Sequence, residues 1–241
     1  MISAGHGPTI VLVHGVGDNA AGWADLIQAL SPHHRVVAVD QRGHGFAPRF
    51  EQFDDPFGQL VDDLIAVLDD EGPALVIGHS MGGAVAAEAA IKRPELFRGL
   101  VLEDPAWIDR PREELELIGQ ARVLSKEMDL KDLPRAIAGK MSEGWSNQEA
   151  LAWGMAHFQT QREFLETGVV AQERPWKEVQ GDLKGAAVPA VVFVGSGQGA
   201  IVDKQELALP YVEFPGAGHC IRRERPQEFL QSVAQFMRDA L

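Results

Sequence analysis

A short apolar run that leads directly into a glycine-flanked pentapeptide limits the fold of this chain more than any other feature. Residues 74–77 read ALVI, which predicts a buried strand, and residues 78–82 follow at once as GHSMG, ahead of small residues that predict a helix. A strand that becomes a helix so abruptly needs a very tight turn, and the flanking glycines leave room where side chains would collide. We therefore expect Ser80 in a strained backbone conformation, with its hydroxyl above the end of a sheet.

Short β-branched runs alternate with helical patterns along most of the chain. The predicted strands are residues 9–13, 35–39, 74–77, 99–102, 189–194 and 210–214. Between them, apolar residues recur at helical spacing, and a last helix opens at Pro226. Strands that alternate with helices form a parallel sheet wrapped by those helices. The sequence therefore predicts an α/β fold with a mostly parallel central sheet flanked by helices.

Residues 105–183 depart from this alternation, since their pattern predicts helices and no convincing strand. Ser146 and Glu149 form a capping box that opens one helix. A second helix is predicted from the apolar stripe Leu117, Ala121, Leu124 and Met128. An insertion of this length with apolar faces has a core of its own to bury. We predict one core domain, residues 1–104 and 184–241, interrupted by a helical lid (cap) of residues 105–183.

Tryptophan is concentrated in the predicted lid. Four of the five tryptophans lie there: Trp107, Trp145, Trp153 and Trp176. As a group they predict an apolar and aromatic roof over a pocket. Trp107 is the residue most expected to line that pocket, because it lies just past Asp104 at the end of a predicted strand.

The composition limits the kinds of partner that we expect this chain to bind. The chain has 35 acidic and 22 basic residues and a net charge of −13, which argues against nucleic acid and anionic membrane surfaces as partners. Cys220 is the single cysteine, so no intrachain disulfide forms. The first residues lack the basic start and long apolar run of a signal peptide, and no run approaches the roughly 20 apolar residues of a spanning helix. The histidines lack the spacing of metal ligands. We expect a cytoplasmic protein that acts on a small molecule without metal or cofactor.

The chain resembles the α/β-hydrolase superfamily over nearly its whole length. The matching motifs are HG at 14–15, DQRGHG at 40–45, GHSMGG at 78–83 and GAGH at 216–219. The resemblance implies a mostly parallel sheet with a helical lid inserted after the family's sixth strand. It also implies that this chain begins at the family's third strand and lacks the first hairpin.

The resemblance assigns roles to individual residues. Ser80 is the expected nucleophile, and His219, in a glycine-rich loop after the last strand, is the expected general base because imidazole titrates near neutral pH. The backbone N–H groups of Val16 and Met81 are the expected oxyanion hole. His14 is expected to flank the pocket and to shape the oxyanion loop. His79 is expected to serve in packing and His44 to face solvent.

The acidic partner of His219 is where the sequence departs from the family pattern. The usual position, after the strand at 189–194, is occupied by Gln198, and the next acid downstream is Asp203. A second family location is the end of the strand at 99–102, where this chain has Glu103 and Asp104. Alternation along a strand lets only one of these two face His219. We favour Asp104, with Asp203 and Glu103 as the alternatives.

These residues favour a serine hydrolase that cleaves a carboxylic ester or lactone with a hydrophobic or aromatic group through an acyl-enzyme. The same triad also serves C–C bond hydrolysis and perhydrolase-type reactions, which remain alternatives. Gln198 at the usual acid position keeps open a third alternative, a non-catalytic ligand-binding protein on a hydrolase scaffold. Haloalkane dehalogenases and epoxide hydrolases are disfavoured, because they place an aspartate where this chain has Ser80.

Overall fold

The alternating β-branched runs become strands of one sheet in a computed structural model, which describes residues 1–108, 111–171 and 174–241. The strands are β1 (Ile2–Ala4), β2 (Thr9–Val13), β3 (Arg35–Val39), β4 (Ala74–His79), β5 (Phe97–Glu103), β6 (Ala190–Gly195) and β7 (Tyr211–Phe214). The helices are α1 (Ala24–Leu30), α2 (Pro56–Glu71), α3 (Met81–Lys92), α4 (Arg112–Lys131), α5 (Leu133–Ser142), α6 (Asn147–Gln159), α7 (Arg162–Glu166), α8 (Trp176–Gly185), α9 (Ile221–Glu224) and α10 (Pro226–Ala240). Short 3-10 helices span Ala20–Trp23, Pro94–Leu96 and Lys204–Glu206.

The strand order is β1-β3-β2-β4-β5-β6-β7, and every pairing except that of β1 with β3 is parallel. The predicted α/β fold with a mostly parallel sheet is therefore confirmed. The register places His79 of β4 beside Glu103 of β5, and Glu103 beside Phe193 of β6. The carboxyl ends of these central strands consequently meet at one edge, where open parallel sheets carry their ligand sites.

The expectation that the chain begins at the family's third strand is wrong, because one strand precedes β2. Residues 2–4 form β1, an antiparallel edge strand on β3 in which Ser3 lies opposite Val37. Only three residues long and largely exposed, β1 has no apolar alternation from which a strand is recognised.

Helices bury the sheet on both faces. One apolar cluster joins the sheet to α2, α3 and α8, and a second joins it to α1 and α10. Every residue of β4 is buried, as a central strand of a doubly covered sheet requires. Helix α3 is also buried over most of its length, and its run of alanines and glycines lets it pack closely against the sheet.

Helices α4 to α7 follow β5 and occupy most of the predicted lid. Ser146 Oγ accepts the Glu149 N–H at 3.2 Å, as the capping box predicts. Helix α8 also starts within residues 105–183, yet Val179 and Leu183 are buried in the cluster that includes the sheet and α3. The division into a core and a lid at residues 105–183 stays a prediction. Among the described residues, no helix combines the length and apolar character needed to cross a bilayer.

Candidate active site

The turn between β4 and α3 is as tight as the sequence predicts. A Cβ on Gly78 would lie 2.5 Å from the Gly82 carbonyl oxygen, and a Cβ on Gly82 would lie 2.3 Å from that of Val13. Only glycine fits at either position. Ser80, between them, has φ 53° and ψ −118°, a conformation that a non-glycine residue adopts only when its surroundings impose it.

Backbone hydrogen bonds to the end of β5 and to the segment that follows it hold this strained serine. The Ser80 N–H donates to the Glu103 carbonyl at 3.0 Å, and the Ser80 carbonyl accepts the Ala106 N–H at 3.0 Å. Ser80 is also the residue that precedes α3, so the positive end of a twelve-residue helix is directed at its surroundings. The turn therefore holds a hydroxyl where developing negative charge is favoured.

His219 and Asp104 meet at this edge of the sheet. His219 Nδ1 lies 2.6 Å from Asp104 Oδ2, and the Asp104 side chain is fully buried. The Asp104 carboxylate also accepts the backbone N–H groups of Ile201 at 2.9 Å and Val202 at 3.0 Å. These bonds fix the carboxylate, and the carboxylate in turn fixes the imidazole with its proton on Nδ1.

The two alternative acids are engaged elsewhere. Asp203 is exposed and caps the 3-10 helix Lys204–Glu206, with its Oδ1 accepting the Gln205 N–H at 2.9 Å. The Glu103 carboxylate accepts the backbone N–H and a guanidinium N–H of Arg222 at 2.8 and 3.1 Å. Gln198, at the usual acid position, is exposed. Of the acids considered from the sequence, the structure brings Asp104 to His219.

The loop after β2 lies beside Ser80 and is fixed by two buried histidines. His14 Nε2 accepts the Gln41 N–H at 3.1 Å, and His44 Nε2 accepts the Gly17 N–H at 3.0 Å. Val16 lies within this loop, and Met81 is the first residue of α3, whose N–H has no acceptor within its own helix. The two N–H groups expected to form the oxyanion hole thus belong to segments held on either side of Ser80.

Burial lowers the pKa of His14, that of His44 to about 3, and that of His79 well below its usual range. All three imidazoles are therefore neutral at neutral pH. The expectation that His44 faces solvent is wrong, because its ring is fully buried and packs edge-on against His14 and Phe164. His79 Nε2–H donates to the His219 carbonyl at 3.0 Å. This bond ties the turn between β4 and α3, residues 78–82, to the loop that carries His219; we call this turn the elbow.

A cavity of about 290 Å³ opens above the elbow. Its walls include Ser80, His219, Val16, Ala106, Ile108, Arg122, Trp145, Trp153, Val170, Ile201 and Arg223. His14 and Trp107 do not line this cavity, contrary to what the sequence suggested. His14 is fully buried in the loop beneath it, and the Trp107 ring stacks on Trp176 at a centroid distance of 5.9 Å.

A buried network of charges supports one side of the cavity. Arg222 joins Glu103 to Asp18, and Arg223 joins Asp18, at 2.8 Å, to Glu149, also at 2.8 Å. The guanidinium groups stack on aromatic rings, Arg222 over Trp23 and Arg223 over Trp145. This network holds Trp145, and with it one wall of the cavity, against α9.

Sequence reasoning did not single out Arg122, Asp18 or Arg223. On α4, Arg122 shares one helical face with Leu115, Gly119, Val123 and Lys126. Because Arg122 and Lys126 are charged, this face is not recognised in the sequence as a buried one. No group of three or more His, Cys, Asp or Glu side chains suited to a metal ion occurs in the part of the chain that the structure describes.

An elbow of this kind after a central parallel strand defines the class of α/β-hydrolase folds. Residues 10–232 match the model of the alpha/beta hydrolase family, and the chain belongs to that family.

Relatives include hydrolases of several kinds. The chain is 26% identical to a pimeloyl-[acyl-carrier protein] methyl ester esterase of Aeromonas salmonicida, covering 97% of this chain and 96% of that protein. It is also 26% identical to a 2-(acetamidomethylene)succinate hydrolase of Mesorhizobium japonicum, covering 97% and 89%. The chain is 33% identical to an uncharacterised protein of Mycobacterium tuberculosis over a shorter stretch. This match covers 54% of this chain and only 39% of that protein.

Solved structures share the fold. NosK of Streptomyces actuosus superposes with a TM-score of 0.69 at 28% identity, covering 98% of this chain and 99% of that one. The enol-lactonase of Burkholderia xenovorans superposes with a TM-score of 0.74 at 24% identity, covering 99% and 95%.

Proposed function

We propose that this chain hydrolyses a carboxylic ester or lactone through an acyl-enzyme formed on Ser80, with His219 as general base and Asp104 as the residue that orients it. The contact of 2.6 Å between His219 Nδ1 and Asp104 Oδ2, beside a serine in the strained elbow, carries this proposal. Ser80 and His219 line the same cavity. Relatives named as an ester hydrolase and an enol-lactonase agree with it.

Each step of the proposed reaction is given to one group of this site. Ser80 Oγ attacks the carbonyl carbon while His219 Nε2 takes its proton, and Asp104 accepts the Nδ1–H of the resulting imidazolium. The carbonyl oxygen becomes an oxyanion that accepts hydrogen bonds from the Val16 and Met81 N–H groups. Collapse expels the alcohol, protonated by His219. A water molecule, deprotonated by His219, then cleaves the acyl ester and restores Ser80.

The walls of the cavity favour a small substrate with an apolar part. A volume of about 290 Å³ is just below the usual range of small-molecule sites, roughly 300–1,000 Å³. Ile108, Val170 and the rings of Trp145 and Trp153 supply an apolar and aromatic surface. Hydrophobic acyl or alcohol groups of modest size therefore suit the site.

The test is turnover of short-chain and medium-chain p-nitrophenyl esters by the wild-type chain and by Ser80→Ala. We expect turnover by the wild type and none above background by the variant. A fluorophosphonate probe should label the wild type, and peptide mapping should place the label on Ser80. Failure of both turnover and labelling would contradict the proposal and favour a binding protein on this scaffold.

C–C bond hydrolysis is the second candidate. The chain is 23% identical to a 2-hydroxy-6-oxo-6-(2'-aminophenyl)hexa-2,4-dienoic acid hydrolase of Metapseudomonas resinovorans, covering 98% of this chain. A dienoic acid of this type belongs in the same substrate panel. Cleavage of the dienoic acid with no turnover of any ester or lactone would replace the first proposal by the second.

A further inference from the structure

Arg122 is a cation in the wall of the cavity, and it has no counter-ion among the residues that the structure describes. It lies on α4 and lines the cavity together with Ser80 and His219. Its Nη1 is enclosed and has no hydrogen-bond partner among the described residues. Burial lowers the pKa of the Arg122 guanidinium, and no acid in the described part of the chain opposes this shift.

The other charged groups at the cavity are already compensated. Arg223 pairs with Asp18 and Glu149, and Asp18 is shared between Arg222 and Arg223. Asp104 is bound to His219 and to two backbone N–H groups. Of the described acids, none that lines the cavity is therefore free to neutralise Arg122, even though the chain as a whole carries a net charge of −13.

A largely buried guanidinium whose enclosed Nη1 has no partner is costly, because it loses hydration and gains no ion pair in return. An anion that enters the cavity removes this cost, and it does so most effectively when it is planar and matches the fork of the guanidinium. A carboxylate has that geometry and a single charge, which one arginine neutralises.

We propose that the substrate of this site carries a free carboxylate, bound by Arg122 while its scissile carbonyl lies at Ser80. The inference rests on the proposed function and names its substrate class: short esters or lactones of dicarboxylic or oxo acids. The small cavity brings both groups within one small molecule, and Trp153 and Val170 pack against the carbon chain between them.

The experiment compares two isosteric esters. One is mono-p-nitrophenyl glutarate, which has a free carboxylate, and the other is the p-nitrophenyl ester in which an isopropyl group replaces that carboxylate. Charge-assisted hydrogen bonds are worth about 1.5–3 kcal/mol, so the wild type should prefer the glutarate in kcat/KM by roughly tenfold to a hundredfold. Ser80→Ala gives the background of spontaneous hydrolysis.

The preference, expressed as the ratio of the two kcat/KM values, should fall to near one in Arg122→Gln and persist in part in Arg122→Lys. The ratio cancels any loss of folded protein. Arg135→Gln is the matched control, because it removes the same charge from an exposed position on α5 and should leave the ratio unchanged. A wild type without preference, or an Arg122→Gln chain that keeps it, would overturn the inference.

A binding measurement with glutarate tests the carboxylate site independently of the proposed hydrolase activity. Glutarate itself should bind the wild type in calorimetry, and Arg122→Gln should weaken that binding at least tenfold. If the wild type binds glutarate but hydrolyses neither ester, and Arg122→Gln loses that binding, the carboxylate site is supported and only the hydrolase proposal is contradicted. Hydrolysis of both esters with equal efficiency and no glutarate binding would contradict the carboxylate site alone.

Discussion

Asp104 Oδ2 lies 2.6 Å from His219 Nδ1, although 115 positions of sequence separate the two residues. The loop after β6 takes part in this contact through its backbone. Ile201 and Val202 donate their N–H groups to the Asp104 carboxylate. The loop that usually supplies the acid in this family thus binds, through its backbone, an acid that directly follows β5, and Gln198 is left exposed.

We predict that Asp104→Asn lowers kcat by about four orders of magnitude, as removal of the corresponding charge does in other serine hydrolases. An amide in this position no longer stabilises the imidazolium and favours the wrong imidazole tautomer. Asp203→Asn is the matched control, and its kcat should change little because Asp203 only caps a short helix. Steady-state kinetics with thermal melting of both variants measures this. A larger loss in Asp203→Asn would reverse the assignment.

Gly82→Ala should destabilise the chain by about 1–3 kcal/mol or prevent folding, because the new methyl group would overlap the carbonyl oxygens of Val13 and His14. Gly181→Ala on α8 provides the comparison, since nothing lies within 4 Å of the added Cβ. That change should be neutral or stabilise by up to about 1 kcal/mol. Urea denaturation gives both values, and equal stability of the two variants would contradict the steric account of the elbow.

The sheet, the tight turn at Ser80 and the position of Asp104 beside His219 were predictable, because each rests on local patterns with a clear physical cause. Residues 74–82 allow one tight turn, and alternation at the end of β5 separates Glu103 from Asp104. Edge strand β1 was not predictable, because three exposed residues carry no periodic signal. The strand forms through its pairing with β3, which is distant in the sequence.

The orientation of α4 was also hidden from the sequence. The apolar stripe predicted for this helix is largely exposed, with Leu117, Leu124 and Met128 each about 60% accessible. The helix instead turns Gly119, Arg122 and Val123 inward. Gly119 permits this orientation, because it lets α4 approach the backbone of Leu165 and Glu166 where a Cβ would collide. Close contact with another helix therefore outweighs the apolar stripe.

Stability should fall as the pH drops below about 6.5, in part because of His44. The pKa of His44 is about 3 in the folded chain, while an unfolded histidine binds a proton near pH 6.5. Between these values the unfolded state holds the extra proton, so each pH unit lost costs up to about 1.4 kcal/mol for this group. His44→Asn should reduce the slope of stability against pH, measured by urea denaturation at several pH values. Removal of the exposed His33 is the control. An unchanged slope in His44→Asn would show that His44 does not contribute.

The buried charge network should contribute more to stability than ion pairs on the surface. Arg222→Met removes the partner of Glu103 and part of the compensation of Asp18, both of which stay buried, and should cost about 3–5 kcal/mol. Adding Glu103→Gln should recover part of that loss, because burial already raises the pKa of Glu103 and a neutral amide needs no counter-ion.

Arg162→Gln, which breaks exposed pairs with Glu127 and Glu166, is the control and should leave stability unchanged. Because Arg222 and Arg223 share Asp18 and Arg223 holds Trp145 at the cavity wall, Arg222→Met should also raise KM. Chemical denaturation and steady-state kinetics on the same samples test both parts. If Arg222→Met were as stable as Arg162→Gln, the network would be a set of weak surface-like contacts rather than the support of the cavity wall.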